Sequence, residues 1–211
     1  MYQKCAKLKL ISNPIVHHEP VHEPVYELCH VQITHRRPRR GFHPALVIWA
    51  FGANHNIFSV GHIIQKLNFK ILNTINWIKP TPPPNLSCRM FTHSTETIIW
   101  FKKNSKSKHF LDYSLMKDIN SGKQMKDVWT FGITSKYEKR YGKHATQKSE
   151  DIIERIVLSS SQQEDVVLDL FSGSGTTVVV SARNNRKHIG IEISEEYLTI
   201  SKMRILDEIK R

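Results

Sequence analysis

The chain has 211 residues, with 31 Lys and Arg against 19 Asp and Glu and a formal net charge of +12; this balance suits an anionic partner and predicts strongly salt-dependent association with it. No apolar run reaches the roughly 18 residues of a membrane span and no export signal opens the sequence, so a cytoplasmic protein is expected. Cys5, Cys29 and Cys88 are odd in number and unmatched in spacing, which reads as free thiols in a reducing compartment. This length suits a single α/β domain with a core of its own.

In chain order, residues 1–44 come first and are atypical. They carry His17, His18, His22, His30, His35 and His43, the pairs Glu19-Pro20 and Glu23-Pro24, and the basic run Arg36 to Arg40. No helical or alternating apolar period persists there, so the segment reads as disordered or as out-of-frame text. The histidines lack any Cys-x-x-Cys or His-Glu-x-x-His spacing, and no metal is expected. Ala45 to Phe51 then reads as a strand, Asn54 to Leu67 as a helix, and Phe69 to Ile78 as a second strand entering the loop Pro80 to Asn85. Thr95 to Lys102 is a third strand. Residues 103–142 are polar, lysine-rich and aperiodic, with Phe110, Tyr113, Trp129, Phe131, Tyr137 and Tyr141 interleaved. Ser149 is a fair N-cap for a helix over Glu150 to Leu158.

The richest stretch lies at 165–177, Asp-Val-Val-Leu-Asp-Leu-Phe-Ser-Gly-Ser-Gly-Thr-Thr. Val166 to Leu168 form a β-branched apolar run, as in a parallel strand covered on both faces. Asp169 stands at its carboxyl end, where open α/β sheets place ligands. Gly173 and Gly175 allow a tight turn and close backbone approach, and Thr176 and Thr177 can begin a helix whose N–H groups face the ligand. A further strand over His188 to Ile193 carries Glu192, close to the spacing of roughly 20 residues at which an acid reaches ribose hydroxyls. There is no third glycine at the dinucleotide spacing and no Gly-Lys-Thr. A loop without lysine favours an adenosyl cofactor lacking a polyphosphate, and S-adenosylmethionine fits. An ordinary strand-to-helix turn is the plainer alternative.

Leu168 to Thr177, followed by Ile189-Gly-Ile-Glu-Ile193 and Glu195-Glu-Tyr197, resembles the cofactor region of the DNA amino-methyltransferases, which act on adenine N6 or cytosine N4. The beta class of that family places a His-Pro-Thr-Gln-Lys-Pro element upstream of the cofactor loop. Here Lys143-His-Ala-Thr-Gln-Lys-Ser149 stands in that place, and Trp49 to Ile57, Ile75 to Pro80 and Thr95 to Trp100 resemble the family's middle. The resemblance runs from about residue 45 to the end. It implies a Rossmann-like S-adenosylmethionine methyltransferase sheet with helices on both faces, incomplete on its amino-terminal side. It also implies that Phe171, Ser172, Gly173, Ser174, Gly175, Thr176 and Thr177 wrap the cofactor, with Asp169 beneath and Glu192 on the ribose diol. Thr146, Gln147 and Lys148 would cover the other side. Ala145 and Ser149 replace prolines, which loosens the loop entry without removing a ligand.

The stretch 103–142 corresponds to the family's target-recognition region. Lys102, Lys103, Lys136 and Arg140, with Lys106, Lys108 and Lys139, would then serve the phosphates of double-stranded DNA, unless the stretch is only a solvated loop pinned by its aromatics. The family aligns the target amine with a polar residue, Pro-Pro and an aromatic. That motif is absent, and Thr81-Pro-Pro-Pro84 lacks both the polar acceptor and the aromatic, so no catalytic residue is assigned. Two readings follow: an adenine N6 DNA methyltransferase of a restriction-modification system, acting as a homodimer beside a cognate restriction endonuclease, or an inactive remnant of low stability that at most binds cofactor or DNA.

Overall fold

The computed structural model describes residues 31–35 and 46–210. His17, His18, His22, His30 and His43, the basic run Arg36 to Arg40, Cys5 and Cys29 lie outside these residues. The described elements are strands β1 (Val31–His35), β2 (Leu46–Gly52), β3 (Lys70–Ile78), β4 (Thr95–Lys102), β5 (Val128–Thr130), β6 (Val166–Asp169) and β7 (Lys187–Gly190). The helices are α1 (Ile57–Lys66), α2 (Tyr113–Ile119), α3 (Glu150–Ser160), α4 (Thr176–Arg183) and α5 (Glu195–Ile209).

One sheet of seven strands runs in the order β5-β3-β4-β2-β1-β6-β7. β4 is antiparallel to β2 and β3, β5 is parallel to β3, and β7 is parallel to β6. β1 is antiparallel to both its neighbours, with Gln32 opposite Trp49 on one side and Asp169 on the other. β2, β3, β5, β6 and β7 therefore point the same way, and their carboxyl ends share one edge with the start of β4. β1 falls inside the stretch read as atypical. Val31-Gln-Ile-Thr-His35 has β-branched residues at alternate and adjacent positions, enough for a strand once two open edges flank it.

The sheet is covered on both faces because its central strands are apolar throughout. Val47, Trp49 and Phe51 of β2 join Ile75, Trp77, Ile98 and Trp100 in a cluster roofed by Ile152, Ile153, Ile156 and Val157 of α3 and Val180 of α4. The alternate residues Ile48 and Ala50 pack with Ile99, Phe101 and the Ile57, Val60 and Ile64 stripe of α1. Opposite faces of one strand thus serve opposite helical layers, as expected for a doubly wound sheet. Trp49 stacks on its register partner Trp100 at 5.0 Å between centroids and donates from Nε1 to Ser160 Oγ at 3.2 Å.

Three details differ from the sequence reading. β7 ends at Gly190 rather than Ile193: the Ile191 N–H makes the last rung to the Asp169 carbonyl, and the Ile191 carbonyl then accepts from Ser172 N–H in the glycine loop, beyond the end of β6. Within 103–142, α2 forms behind Asp112, whose carboxylate accepts from Leu115 N–H at 3.0 Å, and β5 adds three residues to the sheet. α3 does begin after Ser149, but that side chain makes no capping bond. Glu138 caps instead, accepting from Glu150 N–H at 2.6 Å and from Ser135 N–H at 2.5 Å. Among the described residues no helix is long and apolar enough to cross a membrane.

Candidate functional site

The site grows from the end of β6. Asp169 is 1 % exposed. One carboxylate oxygen accepts from Phe171 N–H at 3.0 Å and the other from the Thr177 hydroxyl at 2.6 Å. It therefore ties the entry of the glycine loop to its exit. Burial, and then the nearby Glu192 charge, pushes its pKa up to about 6 against these two hydrogen bonds. Gly173 (φ 49°) and Gly175 (φ 78°) are both left-handed, and Gly175 forms the N-cap of α4. A Cβ on Gly175 would overlap Ser201 Oγ, and one on Gly173 would sit 2.9 Å from His144 Nε2. The loop is thus a bare-backbone cradle, closed below by α5 and bordered by His144.

Glu192 lies just past β7 and folds back over the cradle. Its carboxylate accepts from Gly173 N–H at 2.7 Å and from Ser194 N–H at 2.9 Å. Both partners are backbone donors, so lone pairs remain on each oxygen for hydroxyl donors of a ligand. Ser172 Oγ, buried in the loop, has no hydrogen-bond partner. An acid with spare acceptors beside a bare-backbone loop and an orphaned hydroxyl fits a ribosyl ligand. Ile193 beyond it is 94 % exposed and Phe171 53 %, leaving apolar surface on both sides of the acid.

The Thr146-Gln147-Lys148 element approaches from the opposite side. Thr146 N–H donates to His144 Nδ1 at 3.3 Å. Gln147 is buried, donates from Nε2 to the Glu138 carbonyl at 3.2 Å, and keeps its Oε1 without a partner. Lys148 reaches away across the sheet edge, donating to Glu96 at 2.7 Å with its ammonium over Phe51 and Trp77. Glu96 also pairs with Lys79. Burial alone would raise the Glu96 pKa, but Lys148 and Lys79 hold it below the usual carboxylate range. Lys148 thus buttresses the wall rather than lying open over the loop.

Two further residues of the site escape the sequence reading. His144 packs edge-on against Tyr197 at 4.3 Å, and burial, joined by the Lys148 charge and opposed by Glu192, lowers its pKa. Arg204 of α5 is 1 % exposed. It donates to the Ser174 carbonyl at 2.9 Å, Ser174 Oγ at 3.2 Å, Thr176 Oγ1 at 3.0 Å and Glu150 at 2.7 Å. Its signal is the helical spacing Tyr197, Ile200, Ser201, Arg204, which puts it on the face that meets the loop.

The basic residues divide. Lys102 ends β4 at the edge opposite the glycine loop, is 9 % exposed, and donates to the carbonyls of Ser105 and Ser107 at 3.3 and 2.7 Å. Its charge is spent on its own loop, and the exposed Lys103 lies at that same far edge. Arg140 pairs with Asp207 of α5 and lies over Tyr137 at 3.8 Å and Tyr141 at 4.7 Å. Lys136 is exposed. Thr81-Pro-Pro-Pro84 lies in the loop from β3 to β4, which emerges at the cofactor edge and exposes Leu86 by 91 %, Met90 by 65 % and Phe91 by 97 %. Among the described residues no group of three or more His, Cys, Asp or Glu could hold a metal.

A family model described as DNA methylase matches residues 30–203. The chain belongs to the DNA methylase family. It is 57 % identical over 163 residues to the type II methyltransferase M2.LlaDCHI of Lactococcus lactis subsp. cremoris, covering 77 % of this chain and 61 % of that protein. It is 54 % identical over 163 residues to M2.DpnII of Streptococcus pneumoniae, with the same coverage of each. The chain thus spans about three fifths of the length of these curated relatives. Among solved structures it is similar to the M1.HpyAVI–SAM complex, with a TM-score of 0.64, 29 % identity, and coverage of 75 % of this chain and 74 % of that one. The PvuII cytosine-N4-specific DNA methyltransferase shares the fold at a TM-score of 0.62 and 22 % identity, covering 85 % of this chain and 66 % of that one. The family match begins at residue 30, so it takes in β1.

Proposed function

We propose that this DNA methylase binds S-adenosylmethionine in the cradle at 171–177 and serves the transfer of its methyl group to adenine N6 in double-stranded DNA, as the modification partner of a type II restriction system. The observation that carries the reading is Glu192 folded over a glycine loop whose ends Asp169 ties together, at the carboxyl edge of a DNA methylase sheet. When bound, S-adenosylmethionine supplies a sulfonium methyl group to a nitrogen nucleophile. The residues of this chain bind and orient: Glu192 accepts from the ribose hydroxyls, the bare backbone of the loop gives the cofactor close approach, and Asp169 with Arg204 keep the loop in shape. Adenine is favoured over cytosine because the middle segment most resembles adenine-specific members. The similarity to type II methyltransferases over 163 residues supports an enzyme over a remnant. The exposed Leu86, Met90 and Phe91 suit unstacked bases at the same edge. A second copy of the chain and a cognate endonuclease are the further partners of this reading.

Titration calorimetry with S-adenosylmethionine tests the cofactor half. Glu192→Ala is expected to weaken binding by about 1–3 kcal/mol, the cost of losing hydrogen bonds to a charged acceptor. Unchanged affinity would remove Glu192 from the site. Transfer of labelled methyl groups to genomic DNA tests the whole reading, and cofactor binding without any incorporation would overturn it.

A further inference from the structure

A second polar recess lies on the flank of the sheet, outside β5, and takes no part in the cofactor site. Asn120, Lys123, Lys126, Trp129, Thr130 and Arg155 line a cavity of about 390 Å³. The turn that carries the lysines is built, not slack. α2 ends in the left-handed pair Ser121 (φ 54°) and Gly122 (φ 78°), and Gly122 N–H returns to the Lys117 carbonyl at 2.8 Å. Asn120 Nδ2 donates to the carbonyls of Lys123 at 3.1 Å and Gln124 at 3.0 Å, and Trp129 Nε1 donates to the Lys126 carbonyl at 2.8 Å. Lys123 and Lys126 make no ion pair among the described residues and are exposed.

Arg155 enters from α3 and lies with its guanidinium 4.3 Å from the Phe131 ring centroid and 5.3 Å from that of Trp129. Ring faces hold the guanidinium but leave its N–H donors unused. No described residue accepts a hydrogen bond from Arg155; Asp151, one turn earlier on α3, is exposed and makes no salt bridge with it, though its charge acts on the guanidinium from a distance. A planar fork, oriented by two aromatics, half-buried and flanked by two free ammonium groups, matches a tetrahedral oxyanion.

We propose that this cavity is a phosphate site that grips the DNA backbone on the flank of the sheet, with Arg155 as the oriented fork and Lys123 and Lys126 as the accompanying charges. The proposal rests on the DNA substrate of the preceding section and extends its footprint. β5 pairs with β3 from Val128 opposite Asn76 to Thr130 opposite Ile78, so the cavity lies outside the outermost strand, with its lysines on the turn that enters β5 from the amino-terminal side.

The test is duplex binding by the full chain, read by fluorescence anisotropy of a labelled oligonucleotide across a sodium chloride series. Arg155→Met and, separately, Lys123→Ala with Lys126→Ala are each expected to lower the slope of log affinity against log salt by about 0.9 for every phosphate no longer neutralised. Arg155→Lys keeps the charge without the fork and is expected to recover only part of the affinity. Should Arg155→Met unfold, the lysine pair decides, since both side chains are exposed. An unchanged slope in the lysine variant and in a folded Arg155→Met overturns the site. Inorganic phosphate is the second probe, read by Trp129 fluorescence. A phosphate response that both variants abolish, together with a lowered salt slope, supports the proposal; the response without any change in slope assigns the cavity to a small anion and overturns the DNA reading of it. Failure of the parent chain to bind duplex at any salt concentration would remove the DNA substrate itself, a separate result.

Discussion

Asp169 shows how one carboxyl group can set the terms of a loop. Its pKa is raised from 3.8 to about 6, with burial as the leading cause. For an acid shifted upward, the stability it contributes is fully present below its unfolded value and is lost as pH rises through the folded value. The parent chain is therefore expected to lose stability between about pH 4 and pH 6 relative to Asp169→Asn, whose melting curve should be flatter across that window. A melting series over this range by near-ultraviolet dichroism checks it, and parallel curves would place the burial cost elsewhere. The position of Asp169 was readable because an acid closing a β-branched run at a glycine turn has few other uses. The partners that hold it, Thr177 and the Phe171 amide, were not, since hydrogen-bond pairing carries no sequence period. Lys102 went the other way: its charge suggests a phosphate partner, yet it is consumed by two carbonyls of its own loop.

Among the elements, β2 and β4 were legible because uninterrupted apolar runs of this length are strands buried on both faces. α5 was not. Its mean character is polar, and the residue that faces the loop at its centre is an arginine, which breaks the apolar stripe that marks a packed helix. α2 and β5 hid within an aperiodic stretch because each is short and relies on partners far away in sequence. The weight that α5 carries can be measured. Arg204→Met removes bonds to Ser174 and Thr176 and leaves Glu150 with Arg183 as its remaining cation. With Glu150 still paired, the loss is that of the charged hydrogen bonds to the loop, about 1.5–3 kcal/mol. Urea unfolding should show a loss of that order, with cofactor affinity falling alongside. A loss of stability with cofactor affinity intact would confine Arg204 to holding the helices together.

For the molecule as a whole, chain order announced the doubly wound sheet. β1 could not be read at all, since its five residues stand in a stretch without a sustained period, and even a clear alternation would not have said which way the strand runs. That direction leaves the cofactor edge with the beginning of a strand where every parallel neighbour has an end. It also means that the two parts of the sheet, β5-β3-β4-β2 and β6-β7, meet only across five residues. Sheets ordinarily fray from their margins inward. Here the ladder that joins the two parts is a single five-residue strand, paired at five positions to β2 and at four to β6, so local opening should start at this seam, while α3 and α4 still bridge the two parts through Trp49, Val167 and Val180. Deuterium exchange would then reach the facing amides of β2 and β6 before those between β3 and β4, inverting the usual profile. Slower exchange at the centre than at β3 would show that the seam holds as firmly as the rest.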